Sequence, residues 1–170
     1  DINKTPFMDI KSAQETDIID VLYLLKKDME STYHGPNWRL PIPGYQHLRG
    51  ESQQGHLYIL KHNKISIGTF SLKPAGSEEQ DQSGRTVLEV HQIAIATYWI
   101  NNETIQEILS FLEDYALENN YQSIRFNISS KNEKMNTFYR DLNFNFNGEV
   151  KYPSIESPFL QYEKPLQVGS

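Results

Sequence analysis

Strand-like and helix-like segments alternate along this chain, and that alternation limits the folds open to it. Ile105 to Asn119 carries apolar residues at spacings of three and four, which predicts an amphipathic helix. A long strand candidate, Thr86 to Ala96, precedes it, and a short one, Ser123 to Ile128, follows it. Interleaved strands and helices pack as a sheet covered by helices. We therefore expect a mixed α/β, or α+β, fold.

The rest of the chain extends the same pattern. The other predicted elements are a strand at 7–10, a helix at 17–29, a short helix from 45, a hairpin that turns at 62–64, a helix to 142 opened by a capping box of Ser130 and Glu133, and strands at 144–151 and 159–164. A polar, turn-rich stretch at 75–85 predicts a long loop. We expect a single domain over residues 1–170.

Composition excludes several classes of function. The net charge is −6, from 16 basic and 22 acidic residues, so no basic footprint for nucleic acid is expected. The absence of cysteine excludes a disulfide scaffold, a thiolate metal site and a thiol nucleophile. The histidines lack ligand spacing, so no metal is expected. No apolar stretch approaches a membrane span or a secretory signal, which favours a cytoplasmic protein with no membrane partner.

Two strings carry a resemblance to a known family. Residues 124–150 read IRFNISSKNEKMNTFYRDLNFNFNGEV, and residues 87–121 read VLEVHQIAIATYWINNETIQEILSFLEDYALENNY. Both resemble the GNAT superfamily of acyl-CoA-dependent N-acyltransferases. The pattern of an Asn that opens a helix and a later Phe-Tyr pair is matched by Asn132, Met135, Phe138, Tyr139, Leu142 and Phe144. The resemblance implies one mixed sheet of about seven strands flanked by helices, with strands 4 and 5 splayed apart.

The resemblance also implies where acetyl-CoA, as co-substrate, would bind. The main chain of Ile93, Ala94 and Ile95 would pair with the pantetheine arm like an added strand. Asn132 would hydrogen-bond the same arm, although Asn is also a common residue at a helix start. The pyrophosphate loop of the family corresponds to the segment that contains Asn101, Asn102, Thr104 and Ile105.

That loop departs from the family pattern. Residues 100–105 read INNETI, without the glycines and the basic residue that the family uses. Asn tolerates the left-handed conformation better than most residues, so Asn101 and Asn102 partly replace glycine. Glu103 places a carboxylate where a diphosphate would bind, and the two repel by about 1 kcal/mol in water at 4 Å.

The candidate catalytic residues are one acid and two alternative bases. Tyr139 corresponds to the family tyrosine that protonates the departing thiolate, with Phe138 beside it in the core; Tyr139 as a boundary aromatic is the alternative. Glu89 and His91 project from one face of a strand, and either one could deprotonate the amine or simply decorate a solvated face. Trp38 and Tyr45 could line the acceptor pocket or cover the core.

These assignments predict an N-acetyltransferase that moves an acetyl group from acetyl-CoA to a primary amine of a small molecule or peptide by direct attack. The alternative is an inactive GNAT-fold binding or regulatory protein that has lost acyl-CoA binding, which the INNETI segment favours. The acceptor and the oligomeric state stay open, a homodimer included.

Overall fold

The computed structural model describes residues 8–33, 42–75, 86–153, 155 and 157–167. Its helices and strands, in chain order, are β1 (Asp9–Ser12), α1 (Ile18–Thr32), α2 (Tyr45–Gln53), β2 (Leu57–His62), β3 (Ile65–Pro74), β4 (Val87–Ile95), α3 (Asn102–Glu118), β5 (Ser123–Ser129), α4 (Glu133–Asp141), β6 (Asn145–Val150) and β7 (Phe159–Pro165). Single 3-10 turns lie at Glu15–Asp17 and Thr97–Trp99. Within the described residues, no helix is both long and apolar enough to cross a membrane.

All seven strands belong to one mixed sheet, as predicted. The strand order is β1-β2-β3-β4-β5-β7-β6. β4 and β5 are parallel, with α3 as their crossover, while the β1–β2, β2–β3, β5–β7 and β6–β7 pairs are antiparallel. The parallel register runs from Val87 opposite Ser123 to Val90 opposite Phe126. A mixed sheet with helices on its strand connections confirms the expected fold class.

Contacts group the described residues into two compact units, and the single domain over 1–170 stays a prediction. One unit contains residues 8–28, 42–71 and 92–111. Its core joins inward side chains of α1 and α2 to the sheet, namely Ala13, Ile18, Val21, Leu24, Leu25, Leu48, Leu57, Ile59 and Ala94. The other unit contains residues 29–33, 72–75, 86–91 and the described residues from 112 onward. Its core includes the buried rings of Phe126, Tyr139, Phe144 and Tyr162.

Local boundaries differ from the sequence predictions at two places. The capping box of Ser130 and Glu133 is wrong, because α4 begins at Glu133 and its N-cap is Asn132, whose side-chain oxygen accepts from the Met135 amide at 3.2 Å. Asn is as good an N-cap as Ser, and here it stands nearer to the free amides. The first strand lies at Asp9–Ser12, where it pairs with β2, so it ends two residues later than predicted, while Phe7 lies outside the described residues. Most of the predicted 75–85 loop lies outside the described residues.

The predicted hairpin turn has a clear physical basis. Asn63 and Lys64 connect β2 to β3 with φ values of 48° and 68°. Two consecutive positive φ values are typical of a type I′ turn, whose twist matches that of the flanking strands. Asn is one of the residues that tolerates this conformation, which explains why the sequence turns here.

Candidate active site

A carboxylate and an imidazole meet on β4. Glu89 and His91 stand two residues apart, so a strand points them to one face, and the Oε1 atom of Glu89 lies 2.9 Å from the Nε2 atom of His91. The His91 side chain is 34% exposed and that of Glu89 is 16% exposed. Because Nε2 of the ring faces the carboxylate, Nδ1 is the ring nitrogen outside this contact.

Glu89 is held by donors from β5. Its Oε2 atom accepts from the Asn127 side-chain amide at 3.2 Å and lies 4.0 Å from the Arg125 guanidinium. Burial raises the pKa of Glu89, but the hydrogen bond and charge of His91, followed by Asn127 and Arg125, outweigh it and hold the pKa below its usual value. Glu89 is therefore ionised at neutral pH, which favours its role as the partner of His91 over that of a proton acceptor.

The same polar network continues through β7. Arg125 donates to Glu163 at 3.0 and 3.2 Å, and the Ser123 hydroxyl donates to the other Glu163 oxygen at 2.7 Å. Gln161 donates to Asn127 at 3.0 Å. Glu163 is only 2% exposed, so the network around Glu89 is anchored by a buried carboxylate with several donors. Such anchoring fixes the side chains of the network in single conformations.

Tyr139 occupies the packing position that was predicted for Phe138. Its side chain is 1% exposed, and its ring centroid lies 4.6 Å from that of Phe126, 5.4 Å from that of Phe144 and 5.5 Å from that of Tyr162. Phe138 is only half-buried. Burial, with a smaller contribution from Tyr162, raises the pKa of Tyr139, so its phenol keeps its proton at neutral pH. The predicted acid is thus protonated and firmly packed.

Tyr139 and Glu89 contact opposite faces of β5. Tyr139 stacks on Phe126, whereas Glu89 bonds to Asn127, the next residue in the strand. Successive side chains of a strand point to opposite faces. The predicted acid and the predicted base pair therefore approach β5 from its two sides.

The β4–β5 pairing ends early. The last register pair is Val90 with Phe126, although β4 continues to Ile95 and β5 to Ser129. Among the described residues, no pair between these strands follows. The segment that was predicted to bind the pantetheine arm, Ile93 to Ile95, begins three residues beyond the last pair, so its main chain is not committed to β5. Ala94 and Ile95 are buried and Ile93 is half-buried.

The start of α3 shows how far the predicted pyrophosphate loop departs from the family. Asn101 caps the helix: its side-chain oxygen accepts from the Thr104 amide at 3.0 Å, and its carbonyl accepts from the Ile105 amide at 3.1 Å. Asn102 and Glu103 are exposed. Thr104 is fully buried, and within the described residues its hydroxyl has no hydrogen-bond partner. One helix-start amide is thus already taken, and an acidic side chain stands beside the others.

The remaining predicted site residues lie elsewhere. Asn132 caps α4, so its side-chain oxygen is engaged by the Met135 amide. Tyr45 is 37% exposed on the first turn of α2. Trp38 lies outside the described residues. In the described part of the chain, no three side chains of the His, Asp and Glu types group as a metal site requires.

Two acidic residues were missed by the sequence reasoning. Asp28 lies on α1, four residues after the buried Leu24; it is half-buried, and burial raises its pKa to about 7. Glu51 lies on the inward face of α2, three residues after Leu48, and is 4% exposed. In both helices the periodicity of the buried residues could have found the acidic residue, since each falls on the apolar stripe.

Solved structures resemble this chain over almost its whole length. A GNAT-family acetyltransferase from Streptococcus agalactiae matches with a TM-score of 0.74 and 16% identity, over 95% of this chain and 96% of the other. A ribosomal-protein-alanine N-acetyltransferase from Brucella melitensis matches with a TM-score of 0.70 and 17% identity, over 93% and 99%. The yncA protein of Salmonella typhimurium, solved with its cofactor acetyl-CoA, matches with a TM-score of 0.69 and 14% identity, over 96% of each chain.

No protein-family model and no curated protein sequence matches the chain. Proteins can keep the same fold after their sequences have diverged too far to match. These structural matches therefore show the fold of the chain. The strand order, the parallel β4–β5 pair and the near-complete coverage of these structures agree with one another. The chain therefore has the fold of the GNAT acetyltransferases.

Proposed function

We propose that the protein is an N-acetyltransferase that moves an acetyl group from acetyl-CoA to a primary amine. The observation that carries the proposal is the pair of Glu89 and His91, 2.9 Å apart on β4, close to the point where β4 stops pairing with β5. A partly exposed imidazole whose Nε2 atom is held by an ionised carboxylate can take up a proton on Nδ1. The GNAT fold supplies the context in which such a base acts on an amine.

The geometry of the pair supports His91 as the base and Glu89 as its partner. His91 accepts the amine proton on Nδ1, and Glu89 orients the ring and stabilises the imidazolium that forms. The amine nitrogen attacks the thioester carbonyl carbon, the carbon–sulfur bond breaks, and the thiolate takes a proton from Tyr139, whose phenolate regains one from water before the next turnover. No covalent enzyme intermediate is needed, in keeping with a chain that has no cysteine.

This chain offers a better site for the pantetheine arm of acetyl-CoA than for its diphosphate. The β4 main chain from Ile93 to Ile95 has no register partner on β5, so it can pair with the pantetheine arm in the way that an edge strand pairs with a peptide. The start of α3 is a poorer phosphate site, because Asn101 occupies the Thr104 amide and Glu103 adds negative charge. Acetyl-CoA should therefore bind mainly through its arm, with a weaker contribution from its diphosphate.

A binding measurement and a turnover measurement together test the proposal. Acetyl-CoA at 100 times its dissociation constant should stabilise the protein by about 2.7 kcal/mol, which a shift in melting temperature reveals. A panel of small and peptide amines, followed by thiol release, should identify an acceptor. With neither a shift nor thiol release at millimolar acetyl-CoA, the proposal fails and the inactive alternative replaces it.

Tyr139→Phe tests the acid. This variant keeps the ring that packs on Phe126 and removes only the hydroxyl. We expect about a hundredfold lower kcat with little change in acetyl-CoA affinity, since a positioned general acid contributes at least about that much. Phe138→Leu, on the half-buried neighbour, is the matched control. A Tyr139→Phe variant with the wild-type rate would remove Tyr139 from the mechanism.

A further inference from the structure

Glu51 is a buried carboxylate that the proposed mechanism does not use. It is 4% exposed on α2. Its Oε1 and Oε2 atoms accept from the Gln92 side-chain amide at 3.1 and 3.4 Å, and Oε2 also accepts from the Ser71 hydroxyl at 3.2 Å. The Nε2 atom of His47 lies 3.6 Å away. A buried carboxylate is costly unless donors surround it, so this arrangement requires a structural or functional reason.

Gln92 has an unusual backbone conformation for a strand residue. Its φ is 53°, in the middle of β4. A positive φ inside a strand is typical of a β-bulge, where glycine is the usual residue because a side chain is strained there. Such strain persists only where the surroundings hold it in place, and it clusters at functional sites. The side-chain amide of Gln92 faces Glu51, its hydrogen-bond acceptor.

The orientation of the Gln92 amide agrees with this role. Its nitrogen faces the carboxylate, and its oxygen is buried with no partner within the described residues. An amide turned the other way would place its oxygen against the Glu51 carboxylate. The contact with Glu51 therefore outweighs the loss of a hydrogen bond to the Gln92 oxygen.

Gln92 lies just beyond the part of β4 that pairs with β5. Val90 is the last residue paired with β5, and Gln92 immediately precedes the segment Ile93 to Ile95. A bulge changes the direction of the strand that follows it and re-aims its groups. The conformation of Gln92 therefore sets the path of the main chain that the proposed function assigns to the donor arm.

We propose that Glu51 is a positioning residue for acetyl transfer: its carboxylate holds the Gln92 amide, keeps Gln92 in the left-handed conformation, and thereby aims the main chain of Ile93 to Ile95 at the donor. This inference rests on the proposed function. Glu51 is buried and acts through the side chain of Gln92.

Substitutions at Gln92 separate this role from simple packing. Gln92→Leu keeps the volume but removes the amide and retains the strain of a side chain at positive φ. We expect its dissociation constant and KM for acetyl-CoA to rise at least tenfold, with kcat at saturation within threefold of wild type. Gln92→Gly also removes the amide, yet glycine adopts positive φ without strain. We expect its dissociation constant within threefold of wild type.

A second-site rescue tests Glu51 itself. Glu51→Leu should weaken acetyl-CoA binding at least tenfold, and the double variant Glu51→Leu with Gln92→Gly should restore most of the affinity, since glycine needs no hold. Glu51→Gln keeps hydrogen-bonding groups in place and should stay within threefold of wild type. A role of Glu51 in packing alone predicts no rescue by glycine. Wild-type affinity in Gln92→Leu, or the absence of rescue in the double variant, overturns the proposal.

A backbone measurement without coenzyme keeps the test independent of the proposed function. The ¹³Cα and ¹³Cβ chemical shifts of residue 92 report its φ. We expect the left-handed signature in the wild type and in Glu51→Gln, and its loss in Glu51→Leu. If the wild type binds no acetyl-CoA, the proposed function fails while these shifts still decide whether Glu51 holds Gln92. An unchanged signature in Glu51→Leu overturns the inference even in an active enzyme.

Discussion

Glu89 on β4 and Asp28 on α1 are both withdrawn from solvent, yet their pKa values move in opposite directions. Donors from His91, Asn127 and Arg125 surround Glu89 and hold its pKa below the usual value. Asp28 has no hydrogen bond or ion pair within the described residues, and burial raises its pKa to about 7. Burial disfavours the charge in both cases, so the donors decide the outcome. A carboxylate that accepts hydrogen bonds stays ionised and can orient a neighbouring base. A carboxylate without such donors lowers the free energy of unfolding when it ionises.

The largest expected effect comes from replacing His91, which contacts Glu89 and is the proposed base. His91→Ala should lower kcat at least a hundredfold, because a positioned general base contributes at least that much. Steady-state kinetics with a responsive amine measures it. His62→Gln, on a histidine at the end of β2, is the control and should leave kcat unchanged. Near-wild-type turnover in His91→Ala would exclude His91 as the base.

Asp28→Asn should show the cost of a carboxyl without donors. Because the folded pKa is raised above the unfolded value of 3.8, the stabilisation is complete below pH 3.8 and is lost as the pH rises through about 7. The variant cannot ionise, so we expect it to be more stable than the wild type at pH 8 by up to about 4 kcal/mol, since the pKa moves from 3.8 to about 7 and each tenfold change in proton affinity is worth about 1.4 kcal/mol.

Chemical denaturation at pH 5 and pH 8 measures this difference. The gain should shrink at pH 5, where Asp28 is protonated in the folded state. Asp114→Asn, on an exposed carboxylate of α3, is the matched control and should change little at either pH. Equal effects of the two substitutions at pH 8 would contradict the comparison.

Glu89→Gln should have the opposite pH dependence. The folded pKa of Glu89 is lowered, so its stabilisation is present above the ordinary value of 4.5 and is lost as the pH falls through the folded value. The variant should therefore be less stable than the wild type at pH 7 and approach it in acid. We also expect about a tenfold lower kcat, because the His91 ring loses its orienting partner. Unfolding curves from pH 3 to 7, with a rate measurement at pH 7, check both expectations.

The smallest expected effect, on acetyl-CoA affinity, comes from replacing Glu103, which is an exposed carboxylate. This carboxylate lies in the first turn of α3, where the resemblance places a diphosphate. Glu103→Gln removes a repulsion of about 1 kcal/mol, so acetyl-CoA affinity should rise about fivefold. Calorimetry at low salt measures it, with Glu107→Gln one turn along as the control. Unchanged affinity would show that the diphosphate does not lie at this helix start.

Sequence reasoning located the elements whose signals are local. The stripe of Ile105, Ile108 and Leu112 identified α3 because a helix repeats every 3.6 residues. The Glu89 and His91 pair followed from strand alternation alone. The positive φ of Gln92 could not be found this way, since nothing in the neighbouring residues announces it. Its partner Glu51 lies 41 residues away and is brought near only by the tertiary fold.

Residues that join remote segments escaped for the same reason. Glu163 on β7 anchors Arg125 from 38 residues away, and Asn127 reaches Glu89 across a helical crossover. The identity of the helix cap failed on a finer scale: Ser130 and Asn132 are both good caps, and only the path of the chain after β5 selects Asn132. The periodicity of the sequence thus predicts helices, strands and pairs of nearby residues. The hydrogen bonds between remote residues around the site depend on the order of the strands in the sheet.

The partly exposed imidazole of His91 has a kinetic consequence for the proposed reaction. With His91 as the base, the amine attacks the thioester directly, so acetyl-CoA and the acceptor must be bound at the same time. Neither has to leave before the other arrives, and no acyl group is parked on the protein in between. Turnover should accordingly follow a sequential scheme, in which both reactants are present together, rather than a ping-pong scheme with its parallel double-reciprocal lines.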